Sequence, residues 1–536
     1  MHNILIKGGT VIDGTGAPGV RRDVAVDGSK IAGIYKESEG KAHVTINAEG
    51  MVVCPGFIDI HTHSDIHILN IPLAESRVRQ GITTELVGNC GESAAPLVGR
   101  ARGWLIDYAK NLLVKIDWTT VDEYLLRLAN LRTSVNVATL VGAETLRYGV
   151  IGADDVKPTD AQMETMKQLL AVAMMQGAFG LSTGLIYAPG CYASTEEIIG
   201  LASTSAALGG FYASHIRGES RTVVDAVAEA IRIGREANTR VQISHHKACG
   251  RQNWGLVNTT LKMIEDARAE GVDVAFDVYP YTASSTFLEA ILSPWMRDGG
   301  KDAILTRLND AEARNRQKEE FKDRFTPWEN TVAEDGWENI VVSGFKADGN
   351  KRFENKSLKE IASMLSKDPA DATLDLLLEE KLGISAIFHE MSEDDVMRVM
   401  SHPLSCIGSD GVAEAPSGPT GSVATHPRSY GTFPRVLRRY ALDKKIFTLE
   451  EAVKKMTAVP ADRIGLSNRG VLAKGMMADI VVFDPNTVRD VATFEDSHRY
   501  AEGIRHVLVN GQVTILDGEH TKERAGQVIR HIPKRS

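Results

Sequence analysis

No uninterrupted apolar run in this chain of 536 residues approaches the ~20 residues that a membrane-spanning helix needs. The start, Met1 to Lys7, lacks the basic segment and apolar core of a secretory signal, so the cytoplasm is the expected compartment. Cysteine is scarce. Five residues (Cys54, Cys90, Cys191, Cys249 and Cys406) stand far apart, which implies no disulfide framework and suits a reducing compartment, where a lone thiolate survives as a ligand. A basic excess is also lacking. Lys plus Arg number 61 against 70 Asp plus Glu, and a net charge of −9 gives no general attraction to nucleic acid or an anionic membrane surface. No internal repeat or low-complexity tract is present, and a small molecule is the expected partner. With 43% hydrophobic and 24% charged residues, the chain is of the globular class and long enough for a large core and more than one domain.

Both ends read as short strands between Gly- and Asp-rich turns. Asn3 to Lys7, Thr10 to Asp13, Asp23 to Val26, Lys30 to Ile34 and Val44 to Asn47 lie at the start. Gly475 to Phe483 and Ile504 to Val513 lie at the end, the latter with an Asn510-Gly511 turn signal. The middle alternates. Strand candidates are Val53–Ile60, Thr83–Val87, Val135–Val141, Gly180–Ile186, Phe211–Ser214, Val241–Ser244, Val272–Val278 and Leu404–Gly408. Asp160–Gln176, Thr195–Leu208, Val223–Ala237 and Thr259–Glu270 carry the helical period between them. Eight such strands argue for an α/β fold, a TIM-like (β/α)₈ barrel, with a small β-sandwich built from both termini. An open doubly wound sheet is the alternative, but no Gly-rich phosphate loop follows the first strand. The expected division is 1–54 and 466–536 for the sandwich and 55–465 for the barrel. The stretch between the seventh and eighth strands is too long for a loop. Its first part, about 285–350, reads as a rim insertion, a lid over the site, and the helix-rich remainder (Leu358 to Met400) as a return to the barrel wall.

Metal-type side chains fall at the ends of separate strand candidates. His61 and His63 close Phe57-Ile58-Asp59-Ile60-His61-Thr62-His63, and residues two apart on a strand face one side, so both rings reach one ion. Cys90 ends the second strand within Gly88-Asn89-Cys90-Gly91. Most free cysteines are small buried hydrophobes; the strand-end position and flanking glycines favour a ligand here. His215 and His245 end the fifth and sixth strands, each after a Ser and an apolar run. His246 points to the other face, and His67 lies outside the strand. Asp410, in Gly408-Ser409-Asp410-Gly411, ends the last strand, where a carboxylate binds metal or relays a proton; an Asp-Gly turn is its bland alternative. Lys247, Tyr279, Ser285 and Arg428 are candidates for holding substrate, each with a surface or salt-bridged role as the alternative. A cation near the metal suits an anionic group on the substrate.

This set resembles the amidohydrolase superfamily and, within it, the N-acyl-D-amino-acid deacylases (D-aminoacylases). The resemblance rests on Pro55 to His63, Gly88 to Gly91, Ser214-His215-Ile216-Arg217, Ile243 to Lys247, Asp277-Val278-Tyr279-Pro280-Tyr281, Gly408 to Gly411, His426-Pro427-Arg428 and Lys474 to Ile480. It implies that Cys90, His215 and His245 hold one tightly bound zinc. It implies a second, weaker site made of His61, His63 and Asp410, with Asp410 as general base and acid and Lys247, Tyr279 and Ser285 on the substrate carboxylate. Glu92 departs from the pattern, since many relatives carry an aromatic residue there, and a carboxylate alters the pocket or the field at the metal.

The expectation is therefore zinc-dependent hydrolysis of an N-acyl-D-amino acid to a carboxylate and a free D-amino acid. A hydrolase of cyclic amides (hydantoinase- or dihydroorotase-like) is the rival on the same fold. That chemistry usually needs a carboxylated lysine at the end of the fourth strand, and Leu181-Ser182-Thr183-Gly184-Leu185-Ile186 has none. A non-catalytic scaffold is the second rival, but such a chain is expected to lose ligands, and all six are present.

Overall fold

A computed structural model describes residues 1–534 except 39, 346, 422 and 423. Single positions of the anticipated sandwich and rim insertion thus lie outside the described residues. Eight short parallel strands follow one another around a ring: Phe57–Asp59, Ile82–Val87, Asn136–Thr139, Gly180–Gly184, Phe211–His215, Val241–Ile243, Val274–Val278 and Ser405–Ile407. The third strand serves both neighbours. Asn136–Thr139 pairs with the second, and its continuation Val141–Gly142 pairs with the fourth. A Thr62–Gly411 bridge and the Asp410 N–H donating to His61 O at 2.8 Å join the last strand to the first. Every position of the eight strands is buried, as expected when helices cover one face and packed side chains fill the other.

Helices return between the strands where the periodicity places them. Asp160–Met175 starts at a Thr159–Gln162 capping box, and Val223–Ala237 ends at left-handed Asn238. The latter buries Val223, Val227, Ala230, Ile231, Gly234 and Ala237 along one stripe. A Cβ on Gly234 would collide with Val241, so glycine there sets how closely helix and barrel pack. Among the described residues, no helix is long and apolar enough to cross a membrane.

Both termini meet in one nine-stranded sheet. Val52–Pro55 from the start pairs antiparallel with Ile480–Phe483 from the end, then passes directly into the first barrel strand. Asn3–Lys7 and Thr10–Asp13 merge into one strand, His2–Val11, whose register slips between Ile6 and Gly9 around left-handed Gly8. Asn510 and Gly511, both at positive φ, turn the hairpin between Ile504–Val509 and Gln512–Leu516.

Two expectations are corrected. The rim insertion does not stop near residue 350. Ser284–Phe287 pairs with Ser385–Phe388 at the base of a four-stranded sheet that also holds Ile340–Gly344 and Lys356–Ser357. That sheet buries Leu358, Ile361, Leu374 and Leu377 in its own apolar core, so the helices Leu358–Leu365 and Pro369–Glu379 belong to the insertion. Glu393–Ser401 is the helix of this region that returns to the barrel wall. The second correction concerns 466–536. After Glu519–His520 the chain leaves the sandwich and crosses beneath the barrel. There His531 N–H donates to Gly177 O (2.9 Å) and Gly526 N–H to Thr133 O (2.8 Å). The segment meets its hydrogen-bonding demand on the third barrel strand, where Val528 bridges Val137, and on the turns that precede the strands.

Arg77 ties the ring closed beneath the site. It is fully buried, binds Asp59 of the first strand, and donates to Glu85 of the second (2.6 Å) and to Ser409 Oγ beyond the last (2.7 Å). Removing one partner of such a buried set leaves uncompensated charge, typically at a cost of about 3–5 kcal/mol. Arg77→Leu is therefore expected to lower unfolding stability by about that much in a denaturant titration.

Candidate metal centre

The barrel delivers the expected ligands to one mouth. His61 and His63 follow the first strand, Cys90 the second and Asp410 the last, while His215 ends the fifth and His245 follows the sixth by two residues. Cys90 (φ 49°), His245 (φ 34°) and Asp410 (φ 53°) all lie in the left-handed region that side chains other than glycine's rarely adopt. Three such residues at one mouth point to a site whose geometry outranks local comfort.

Cys90 Sγ lies 3.3 Å from His61 Nε2, 3.5 Å from His245 Nε2 and 3.7 Å from His215 Nδ1. A tetrahedral zinc with a ~2.3 Å bond to sulfur and a ~2.0 Å bond to nitrogen sets those atoms about 3.5 Å apart. The cluster thus has the dimensions of a metal shell before any ion is placed in it. Asp410 Oδ1 lies 3.0 Å from His63 Nε2 and 3.5 Å from His61 Nε2. His61 therefore stands between the two expected sites and faces both the sulfur and the carboxylate. His246 points elsewhere, with its Nε2 2.8 Å from Thr260 Oγ1, and His67 Nε2 meets the Tyr108 hydroxyl at 3.0 Å.

Electrostatics suit a cation. Burial raises the Asp410 carboxyl, but Arg428, His245 and His63 outweigh it and hold the group well below the usual carboxylate range. Burial, helped by Asp410 and Glu219, pushes the Cys90 thiol well above its ordinary value, so without a cation the sulfur keeps its proton. Burial also lowers His215 and His245, the latter with help from Lys247, which keeps their lone pairs free for a metal.

The structure brings Lys247, Tyr279, Arg428 and the backbone of Ser285 to the same mouth, the two cations with partners already engaged. Lys247 Nζ lies 2.6 Å from Glu219 Oε1 and 2.8 Å from His245 Nδ1. Burial alone would discharge this lysine, but Glu219 outweighs it and holds the ammonium charged. Arg428 donates to Asp410 Oδ2 (2.7 Å) and to the Ser285 carbonyl (3.0 Å). Tyr279 lies between the two cations, its ring centre 5.6 Å from Lys247 Nζ and 5.2 Å from Arg428 Cζ. Its hydroxyl is buried without a hydrogen-bond partner, a donor aimed at something the protein does not supply. Glu92 is open to solvent yet surrounded by protein mass, which together with Asp65 pushes its carboxyl up to about 7 against the pull of His63.

Two residues escaped the sequence reading. Glu219 sits four residues past His215 and touches both His245 and Lys247. Asp277 lies 3.4 Å from His61 Nδ1 and accepts the His245 N–H at 2.8 Å. Asp277 had a signal: an acid inside the apolar strand Val274–Val278 requires a partner.

The model described as "Amidohydrolase family" matches residues 44–515. A D-aminoacylase of Alcaligenes xylosoxydans xylosoxydans is 38% identical over 530 residues, covering 98% of this chain and 97% of that one. An N-acyl-D-glutamate deacylase of the same organism is 37% identical over 530 residues, covering 98% and 96%. The crystal structure of an N-acyl-D-glutamate deacylase from Bordetella bronchiseptica, complexed with zinc and a phosphonate mimic of the tetrahedral intermediate, superposes with a TM-score of 0.82. It is 35% identical and covers 99% of this chain and all of that one.

Because the Cys90 thiol is protonated without a cation, zinc uptake must displace a proton. Apparent zinc affinity is expected to weaken as pH falls, by about tenfold per unit for one displaced proton. Cys90→Ala should abolish zinc retention and, with it, that pH dependence. Chelator competition at several pH values measures both, and full zinc occupancy in Cys90→Ala would remove the sulfur from the shell.

Proposed function

The chain belongs to the amidohydrolase family, and on that premise we propose that it hydrolyses the amide bond of N-acyl-D-amino acids, releasing a carboxylate and a free D-amino acid. The observation that carries this reading is the placement of Asp410. Its carboxylate lies beside the Cys90–histidine cluster and is held ionised next to Arg428 and the unpartnered Tyr279 hydroxyl. Cys90, His215 and His245 would hold one zinc ion tightly, and His61, His63 and Asp410 would form a weaker second site. Bound zinc supplies Lewis acidity, which makes water acidic near neutral pH and polarises a carbonyl oxygen.

The chain's own groups perform the proton transfers. Asp410 takes the proton of the attacking water as a carbon–oxygen bond forms at the acyl carbonyl. It then returns the proton to the amide nitrogen as the carbon–nitrogen bond breaks, so a neutral amine leaves in place of a poor anion. Tyr279, Lys247, Ser285 and Arg428 orient the α-carboxylate. A clamp made of these groups on one side of the reacting bond would discriminate between enantiomers. Glu92 adds a carboxylate to the cleft and bears on which side chains or acyl groups are accepted.

Cyclic-amide hydrolysis is disfavoured by the fourth strand. Gly180–Gly184 carries no lysine, and Ser182 uses its hydroxyl on the Gly88 carbonyl. We place the reaction in the cytoplasm, where the chain's five free cysteines would stay reduced.

A chiral screen tests the reading. Paired N-acetyl-D- and N-acetyl-L-amino acids with apolar and acidic side chains, alongside hydantoins, should give turnover of D forms alone. Hydantoin opening, or equal rates for both enantiomers, would overturn it. In Asp410→Ala, zinc in the tight site should persist while kcat falls by about 10²–10⁴-fold or more. Near-parental turnover would take Asp410 out of the mechanism.

A further inference from the structure

We propose that Glu219 is the positioning residue of this centre, a single carboxylate that faces the outer nitrogens of both His215 and His245 and anchors Lys247 beside them. The inference deepens the deacylase reading and rests on it for the role of Lys247.

The division of ring nitrogens carries the argument. His245 presents Nε2 to Cys90 Sγ at 3.5 Å and Nδ1 to Glu219 Oε1 at 3.0 Å. His215 is turned the other way, with Nδ1 3.7 Å from Sγ and Nε2 3.7 Å from Glu219 Oε2. A neutral imidazole has one N–H and one lone pair. At His245 Nδ1 the Glu219 oxygen (3.0 Å) competes with the Lys247 ammonium (2.8 Å), which can only donate; directing the N–H of each ring at Glu219 is the arrangement that leaves both lone pairs facing the sulfur, where a cation would sit. His215 Nε2 is buried without a hydrogen-bond partner and faces Glu219 Oε2 at 3.7 Å, a charge contact longer than a hydrogen bond. Carboxylates that take the outer N–H of metal-bound histidines set ring orientation and ligand basicity.

Glu219 is itself held from two sides. Its carbonyl accepts the Cys249 N–H at 2.7 Å, and its own N–H donates to Glu329 Oε1 of the insertion at 3.1 Å. His215, Glu219 and His245 also lie close enough to be mistaken for a separate ion site. The Lys247 ammonium already takes that place, 2.6 Å from Glu219 Oε1 and 2.8 Å from His245 Nδ1. A divalent ion and an ammonium group exclude each other there, so Glu219 acts through the two rings and is not a ligand in its own right.

The test uses the full chain and zinc alone, read by competition with a chromogenic chelator, with circular dichroism as the check on folding. Glu219→Gln keeps the shape and removes the charge. It should weaken zinc binding by about 10–100-fold, with Glu219→Asp intermediate. With zinc saturating, KM for an N-acetyl-D-amino acid should rise in Glu219→Gln more than kcat falls, because Lys247 has lost its anchor. Folded Glu219→Gln protein with zinc affinity within twofold of the parent would overturn the proposal. If that variant does not fold, the same twofold criterion applied to Glu219→Asp decides. If the parent turned over no N-acyl-D-amino acid, the deacylase reading would fail while the zinc measurement still judged Glu219.

Discussion

Sulfur, imidazole nitrogen and carboxylate oxygen converge at the mouth of this barrel at the spacing of ligands around a cation. A buried polar atom without a partner costs about 1–3 kcal/mol. The neighbouring Tyr279 hydroxyl is in that state, and so are the outer nitrogens His61 Nδ1 and His215 Nε2, which face Asp277 and Glu219 and not the sulfur. Residues held at positive φ cost about as much again, and Cys90, His245 and Asp410 are all so held. Such strain persists only on a frame that cannot relax. The frame is the closed ring of strands, with Arg77 joining Asp59, Glu85 and Ser409 beneath the ligands they position. The candidate metal centre and the closure of the barrel are thus one structural problem, because two of the residues that close the ring, Asp59 and Ser409, lie within two positions of the candidate ligands His61 and Asp410.

How much of this the sequence disclosed depended on where each residue lies. Strand ends are legible. An apolar run stops, a His, Cys or Asp stands at its last position, and the two-residue period says which way it points. All six candidate ligands and Lys247 belong to that class, whereas Arg428 opens the helix Arg428–Arg435 and was singled out in His426-Pro427-Arg428. Glu219 was not legible because it lies in a loop, where no period assigns a direction, and its hydrogen-bonded side-chain partners, His245 and Lys247, are 26 and 28 positions away. Asp277 was legible in principle, as an acid inside a buried strand, but its partner His61 comes from the opposite end of the barrel sequence. The extent of the insertion was hidden for another reason. Leu358–Leu365 has a wall helix's amphipathic stripe, and the stripe does not reveal which sheet it covers. Only the pairing of Ser284–Phe287 with Ser385–Phe388 decides that.

Lys247 and Arg428, as free side chains, would be general anion binders; in this site each is tethered to a carboxylate, Glu219 or Asp410. A tethered cation still attracts a substrate carboxylate, but over a narrower set of positions, and it loses less freedom on binding. The Tyr279 hydroxyl, between them and unpartnered, is the donor that gains a hydrogen bond only when something binds. The arrangement trades raw attraction for direction, as a site that must tell a D from an L centre requires.

The same tethers bear on how many ions the centre needs. With Cys90 ionised, Asp410, Glu219, Asp277 and the thiolate bring four negative charges into contact with the cluster. Lys247 and Arg428 bring two positive ones. One divalent ion neutralises that set, and a second would leave an excess of two positive charges in a buried site, which a single substrate carboxylate offsets only by half. Burial magnifies such imbalance, since the effective dielectric is far below that of water. Charge balance thus favours one tightly held ion, seated where the sulfur is, with His61 near enough to both groups to shift between them. A second ion beside Asp410 would also compete with Arg428 for the carboxylate to which the proposed mechanism gives the proton transfers.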